Sequence, residues 1–351
     1  MPDRNSASLP EPHRGFVPRP FRPAGWARGP HGQTLLGRVL RPESDLLVRR
    51  ERVHTPDSDF LDLELGPEPG PEAPIALVLH GLEGSTRRRY MRVAMEELTG
   101  RGMWAVGMNF RSCSGEPNLQ PRFYHSGEIG DLEFVLRFLR ERHPTRPIGA
   151  LGFSLGGNVL LRFLGEKGDA ARDLLGGAAA VSVPYDLSEG SKLLEGGRMG
   201  RLYSRYFLRS LQAKARAKEA LLAGVVDLER ILAARTLREF DDAATAPLHG
   251  FASAAEYYRE ASSGPRLPGI RVPTLLLHAL DDPFLPAASV PTDAVSESPW
   301  LLGAIHPKGG HVGFVEESSP WRPRFWAEGE AARYLQGILF GDGPRPTPKG
   351  P

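Results

Sequence analysis

The run Gly-Phe-Ser-Leu-Gly-Gly-Asn at 152–158 constrains this chain more than any other segment. It lies between an apolar run at 148–151 and a stretch with apolar residues at helical spacing: Val159, Leu160, Phe163 and Leu164. Where a strand turns that sharply into a helix, the two backbones pass closely, and a side chain at Gly152 or Gly156 would collide. The turn forces Ser154 into a strained backbone geometry that lifts its hydroxyl clear of the sheet. That is the setting of a hydrolytic nucleophile.

The surrounding pattern predicts an α/β fold with a mostly parallel sheet. Short apolar runs at 75–79, 104–108, 148–153, 177–183, 274–278 and 301–305 read as buried strands. Leu132, Val135, Leu136 and Leu139 supply a crossover helix, and Trp326, Ala331, Tyr334 and Leu335 a closing one. The alternation breaks between about 184 and 268, a helical, aromatic-rich stretch (helices expected at 210–223 and 227–240) that reads as a cap inserted over the active face. The expected organisation is a poorly ordered arm at 1–25, a single domain at 26–341 with the cap inside it, and a disordered proline-rich tail at 342–351.

Composition narrows the class. Hydrophobic content of 40% with 25% charged residues suits a globular protein with a large core, and a net charge of +2 argues against nucleic acid as a partner. The first 52 residues carry about twice as many arginines as acidic groups, which reads as a solvated arm. One cysteine, Cys113, excludes an internal disulfide and fits a reducing compartment. The N-terminal segment has no signal-peptide core, and no apolar run approaches the ~18 residues of a membrane span. A cytoplasmic protein without an integral membrane segment is expected, and the pattern sets no oligomeric state.

A serine hydroxyl becomes nucleophilic when a base takes its proton and a carboxylate orients that base. Two expected strands downstream of Ser154 end in suitable groups. The strand at 274–278 leads to Asp281 and Asp282, and the strand at 301–305 leads to His306 and His311. Asp282 is favoured as the acid because Pro283 forces the chain out of the strand there. His311, on a loop loosened by Gly309 and Gly310, is favoured as the base over His306. Backbone donors for an oxyanion are expected from the N–H of Leu82, in the loop after the first strand, and of Leu155, next to the serine. His80 is expected to order that loop. The polar loop 109–118 has the density of an active-face loop, but Cys113 lacks the neighbours of a reactive thiolate. Phe240, Phe251 and Tyr206 of the cap are candidates for binding an acyl group. The histidines show no metal-ligand spacing, and the chemistry calls for no cofactor.

Taken together, several segments resemble the YheT-like hydrolases, family 4 of the α/β-hydrolase superfamily. They include 30–35 (Pro-His-Gly-Gln-Thr-Leu), 80–85, 109–118, 124–127, 152–158, 240–251, 257–259, 279–284 and 309–314. The resemblance runs over nearly the whole chain. It implies an α/β-hydrolase fold and the cleavage of small carboxylic esters with short or medium acyl chains, through an acyl-serine on Ser154, Asp282 and His311. Transfer of the acyl group to an alcohol is the alternative reaction, and ligand binding without catalysis a more distant one. Ser112 departs from the glycine that the family prefers at that place, which implies an altered local turn. The membrane anchor of the eukaryotic members is not seen at the N-terminus.

Overall fold

The structure, a computed structural model, describes residues 12–341. Its centre is an eight-stranded sheet: β1 (Arg49–His54), β2 (Phe60–Leu65), β3 (Ile75–Leu79), β4 (Trp104–Asn109), β5 (Ile148–Phe153), β6 (Gly177–Val181), β7 (Thr274–Ala279) and β8 (Leu301–His306). Their order across the sheet is β1-β2-β4-β3-β5-β6-β7-β8. All neighbours from β4 through β8 are parallel. The six expected strands are all present, with ends displaced by at most two residues.

The antiparallel strands β1 and β2 were not foreseen. β1 is written almost wholly in charge (Arg-Arg-Glu-Arg-Val-His) because it forms the sheet edge, where charge discourages pairing with other chains. Its Arg52 grips Asp62 of β2 with two hydrogen bonds, at 2.8 and 2.9 Å.

Strands buried on both faces feed two cores. Ile75, Leu77 and Leu79 of β3 face one cluster with α3 (Ile129–Arg142) and α4 (Leu155–Lys167). Ala76 and Val78 face the other, with α2 (Arg89–Gly100) and α13 (Trp326–Leu339). A further helix, α1 (Gly29–Leu40), precedes the sheet.

Between β6 and β7 the chain forms a group of helices: α5 (Leu187–Glu195), α6 (Gly197–Ala217), the short α7 (Glu219–Leu222), α8 (Leu228–Ala233), α9 (Leu237–Phe240) and α10 (Ala246–Leu248), and α11 (Ala254–Ala261). α6 begins well before the expected residue 210, because its buried stripe (Tyr203, Ser204, Leu208, Ala215) is hidden in sequence among arginines. The helix expected over 227–240 is broken in two. Thr236 accepts the Glu239 N–H (3.1 Å) and starts a new helix. α12 (Thr292–Glu297) packs against β8. Among the described residues, no helix is long and apolar enough to cross a membrane.

The expectation of a poorly ordered arm at 1–25 is corrected for residues 12–25. Phe21 is buried against His306, Phe314 and Trp326, Arg19 pairs with the buried Glu330 (2.8 Å), and the Ala24 N–H bonds to Val315 O (2.9 Å). The proline and arginine composition concealed this because only single residues, spaced along an extended chain, make the contacts. The rest of the arm (1–11) and the tail expected at 342–351 lie outside the described residues. Phe21→Ala should therefore lower unfolding free energy in urea by about 3 kcal/mol, the usual cost of deleting a buried phenylalanine, whereas a loose arm would give no change.

Candidate active site

Ser154 stands at the start of α4 with φ 51° and ψ −118°, the strained conformation expected of the turn. The strain is held in place by close packing. A Cβ at Gly156 would lie 2.6 Å from His80 O, and one at Gly152 2.6 Å from Gly156 O. The Ser154 hydroxyl lies 2.9 Å from His311 Nε2, and His311 Nδ1 lies 2.7 Å from Asp282 Oδ2. With the Nδ1 proton directed at Asp282, Nε2 remains the acceptor for the serine hydroxyl. The Asp282 carboxylate is closed off from solvent, and its other oxygen accepts the Phe284 N–H at 2.8 Å. Phe284 then lies against the imidazole with ring centres 4.3 Å apart. Asp281 instead accepts the Gly310 N–H (2.9 Å), ordering the histidine loop, while His306 packs on Phe21 and Trp326 away from the serine.

Several supports of this arrangement had no visible role in sequence. The His311 N–H donates to Thr34 Oγ1 (2.9 Å), and the Val312 N–H to Ser182 Oγ (3.0 Å). Gln33 accepts the Val315 N–H (2.7 Å) and donates to Ala27 O and Val315 O. Both Gln33 and Thr34 belong to α1, so the 30–35 signature is the clamp on the histidine loop. The available signal was the Gln-Thr pair itself. Asn158, one turn after the serine, donates to Ser126 O and Ala261 O (both 2.8 Å) and accepts the Ser263 N–H (3.0 Å). It ties α4 to the inserted helices.

The loop after β3 is held by two phenols. Tyr90 accepts the Gly81 N–H (2.9 Å) and Tyr124 the Glu83 N–H (2.7 Å). Between them the Leu82 N–H has no acceptor among the described residues, and the Leu155 N–H, at the first position of α4, is a free helix donor. Glu83, at φ 52°, also binds Lys214 of α6 (2.7 Å) and Ser210 through its carboxylate. His80 is fully buried, and burial lowers its pKa to about 3. It orders the loop as a neutral ring, with Nδ1 2.8 Å from Gly81 O and Nε2 accepting the Phe110 N–H.

The α/β hydrolase fold family matches residues 74–318. YheT of Escherichia coli (strain K12) is 39% identical over 314 residues, covering 88% of this chain and 91% of that protein. The chain is an α/β hydrolase of the YheT group. Monoacylglycerol lipase of Saccharomyces cerevisiae is 32% identical over 83% of the chain, which spans 64% of that longer protein. Human phospholipase ABHD3 is 29% identical over 87% of the chain and 76% of its own length. Among solved structures, Pyrococcus furiosus esterase Pf2001 shares the fold (TM-score 0.54, 15% identity, covering 92% of this chain and all of that one).

In this hydrolase a cavity of about 650 Å³ opens over Ser154 and His311 and runs beneath the helices between β6 and β7. Its inner wall is apolar and includes Leu187, Leu194, Phe207, Leu211 and Leu237, while Leu82 and Leu155 meet it at the serine. Of the three cap residues named as candidates for an acyl group, Phe240 and Tyr206 line it. Phe251 does not. It packs behind the wall on Tyr257 and His125, because the turn after α10 directs it into the small core around α11. The loop 109–118 also lies away from the cavity. Its Arg111 is buried and paired to Asp131, Asp59 and Asp57, which makes the segment a structural tie. Ser112 takes φ 60°, where glycine is favoured, and holds the turn by accepting the Asn118 N–H (3.1 Å). Burial raises the Cys113 thiol to about 11.

His125, Glu128 and His249 come together beside the cavity at distances a cation could bridge. Their hydrogen bonds oppose that use. His125 Nδ1 accepts the Gly127 N–H (3.1 Å), so the neutral ring carries its proton on Nε2, the nitrogen facing Glu128. Glu128 is already engaged in capping α3 and pairing with Arg122.

Asp241 lines the cavity and accepts hydrogen bonds from Tyr258 (2.7 Å) and Thr245 (2.6 Å), yet burial raises its pKa from 3.8 to about 6. A carboxyl raised by folding favours the native state while it is protonated. Its contribution is full below about pH 4 and is lost as pH rises through 6. Asp241→Asn cannot ionise, so between pH 4 and 7 its urea stability should gain on wild type, by about 2 kcal/mol. Parallel stability curves would reject a raised acid at this position.

Proposed function

We propose that Ser154, His311 and Asp282 form a catalytic triad that cleaves carboxylic esters of short or medium acyl chains through an acyl-serine. The protein is a carboxylic ester hydrolase, and the chain of contacts from Asp282 through His311 to the strained Ser154 hydroxyl carries the assignment of its chemistry. His311 Nε2 takes the serine proton as Oγ attacks the ester carbonyl. Asp282 holds the tautomer and stabilises the imidazolium that forms. The Leu82 and Leu155 N–H groups receive the tetrahedral oxyanion, where prepositioned donors need no reorganisation. His311 then returns the proton to the departing alcohol, and water repeats the sequence on the acyl-serine. The cavity supports an acyl group as the specificity element, since its apolar wall begins beside the serine and ends within the inserted helices. The relatives named as a monoacylglycerol lipase and a phospholipase support this reading.

Ser154→Ala should lower kcat on a p-nitrophenyl ester by about 10³-fold or more and abolish labelling by a fluorophosphonate. Activity should peak at one chain length across an ester series. Full activity in the serine variant, or no hydrolysis of any ester by wild type, would reject the proposal.

A further inference from the structure

The net charge of +2 conceals a local concentration of positive charge. α6 carries six basic residues and no acidic one over its 21 residues. Arg198, Arg201, Arg205, Arg209 and Arg216 are all exposed, and among the described residues none of them pairs with a carboxylate. At 3.6 residues per turn these five fall within an arc of about 80° and span about 27 Å of helix. The buried residues Tyr203, Ser204, Leu208 and Ala215 occupy the adjoining arc of about 140°, so the arginines lie on the exposed part of the helix. The arginines therefore form a single outward face.

Apolar groups flank that face on the side of the cavity mouth. Leu202 is 57% exposed and Tyr206 40%, both on α6. Across from them on α1, Leu35 is 41% and Val39 62% exposed. The two helices meet where Arg38 donates to the Tyr206 hydroxyl (2.7 Å) and lies over its ring. Leu35, Arg38, Leu202 and Tyr206 line the cavity, so this mixed patch is its rim. Arg38 and Arg88, which both reach the Tyr206 hydroxyl, likewise have no carboxylate partner among the described residues.

From this we infer that the α1–α6 face docks on an anionic lipid bilayer, with Leu35, Val39 and Leu202 entering the headgroup layer and the α6 arginines meeting phosphates. A basic helix with apolar residues at its flank suits a membrane surface, where charge attraction and apolar burial add. A nucleic acid would use the arginines but gain nothing from exposed leucine and valine. The geometry also places the open cavity against the bilayer, so that an acyl ester can pass from lipid to Ser154 without crossing water. The choice of lipid as partner rests on the ester-hydrolase reading, while the docking is a binding event that needs no catalysis.

The test is cosedimentation of the full chain with vesicles of two parts phosphatidylcholine to one part phosphatidylglycerol, in low salt. Wild type and Ser154→Ala should bind equally, with weak binding to phosphatidylcholine alone and loss of binding in high salt. The combined variant R198Q/R201Q/R205Q/R209Q should bind at least about tenfold more weakly while hydrolysing a water-soluble ester as wild type does. Val39→Asn should weaken vesicle binding and leave any binding to single-stranded RNA unchanged. The inference fails if the arginine variant binds vesicles as wild type does, or if RNA is bound more tightly than the vesicles. A wild type that binds vesicles but cleaves no ester would reject the hydrolytic reading and leave the docking surface standing.

Discussion

The close approach of α4 to the ends of β3 and β5 is the constraint on which the site depends. At Gly156 the helix backbone comes so near Leu79 and His80 that an added Cβ would sit within 2.8 Å of their backbone atoms. Such contact fixes where the helix begins, and with it the one residue that must turn through a positive φ. Ser154 is that residue, and its own N–H is held by Val181 O at 2.8 Å. The serine hydroxyl is placed by backbone packing beneath it, with no mobile side chain determining its position. The strain persists because the surrounding core over-determines it.

The histidine is placed in a different way. Its loop leaves β8 with left-handed residues at Gly310, Val312 and Phe314, and such a loop has little local preference for one shape. Side chains from distant segments fix it instead: Thr34 and Gln33 from α1, Ser182 after β6, and Asp281 after β7. Gly310 and Gly313 are small because α1 lies against them, with Pro30 O and Gln33 O near 2.5 Å from any added Cβ. A helix near the start of the described chain is thus part of the geometry at its far end.

That difference explains what could be read in advance. The meeting of Ser154, Asp282 and His311 was legible because each follows an apolar strand, and local pattern carries that information. The roles of Gln33, Thr34 and Asn158 were not, because a hydrogen bond between segments far apart in sequence leaves no periodic trace. β1 escaped notice because an edge strand is selected for charge, which removes the apolar signal. Phe251 was misplaced for a related reason. Aromatic content marks a packed region, but the turn after α10 decides whether a ring faces the cavity or the core behind it.

Composition misled in one further respect. The small net charge gives the arginines no position, yet folding sets two groups of them apart from the many that make surface ion pairs. Arg41, Arg111 and Arg146 are buried and tied to carboxylates or carbonyls, where they hold segments together. Those of α6 are exposed and share one helical face without counter-charges. A surface ion pair is worth little to stability, so the missing partners cost the fold almost nothing. They leave an uncompensated field beside the cavity mouth, and such a field acts on whatever approaches the mouth before any contact with Ser154 is made.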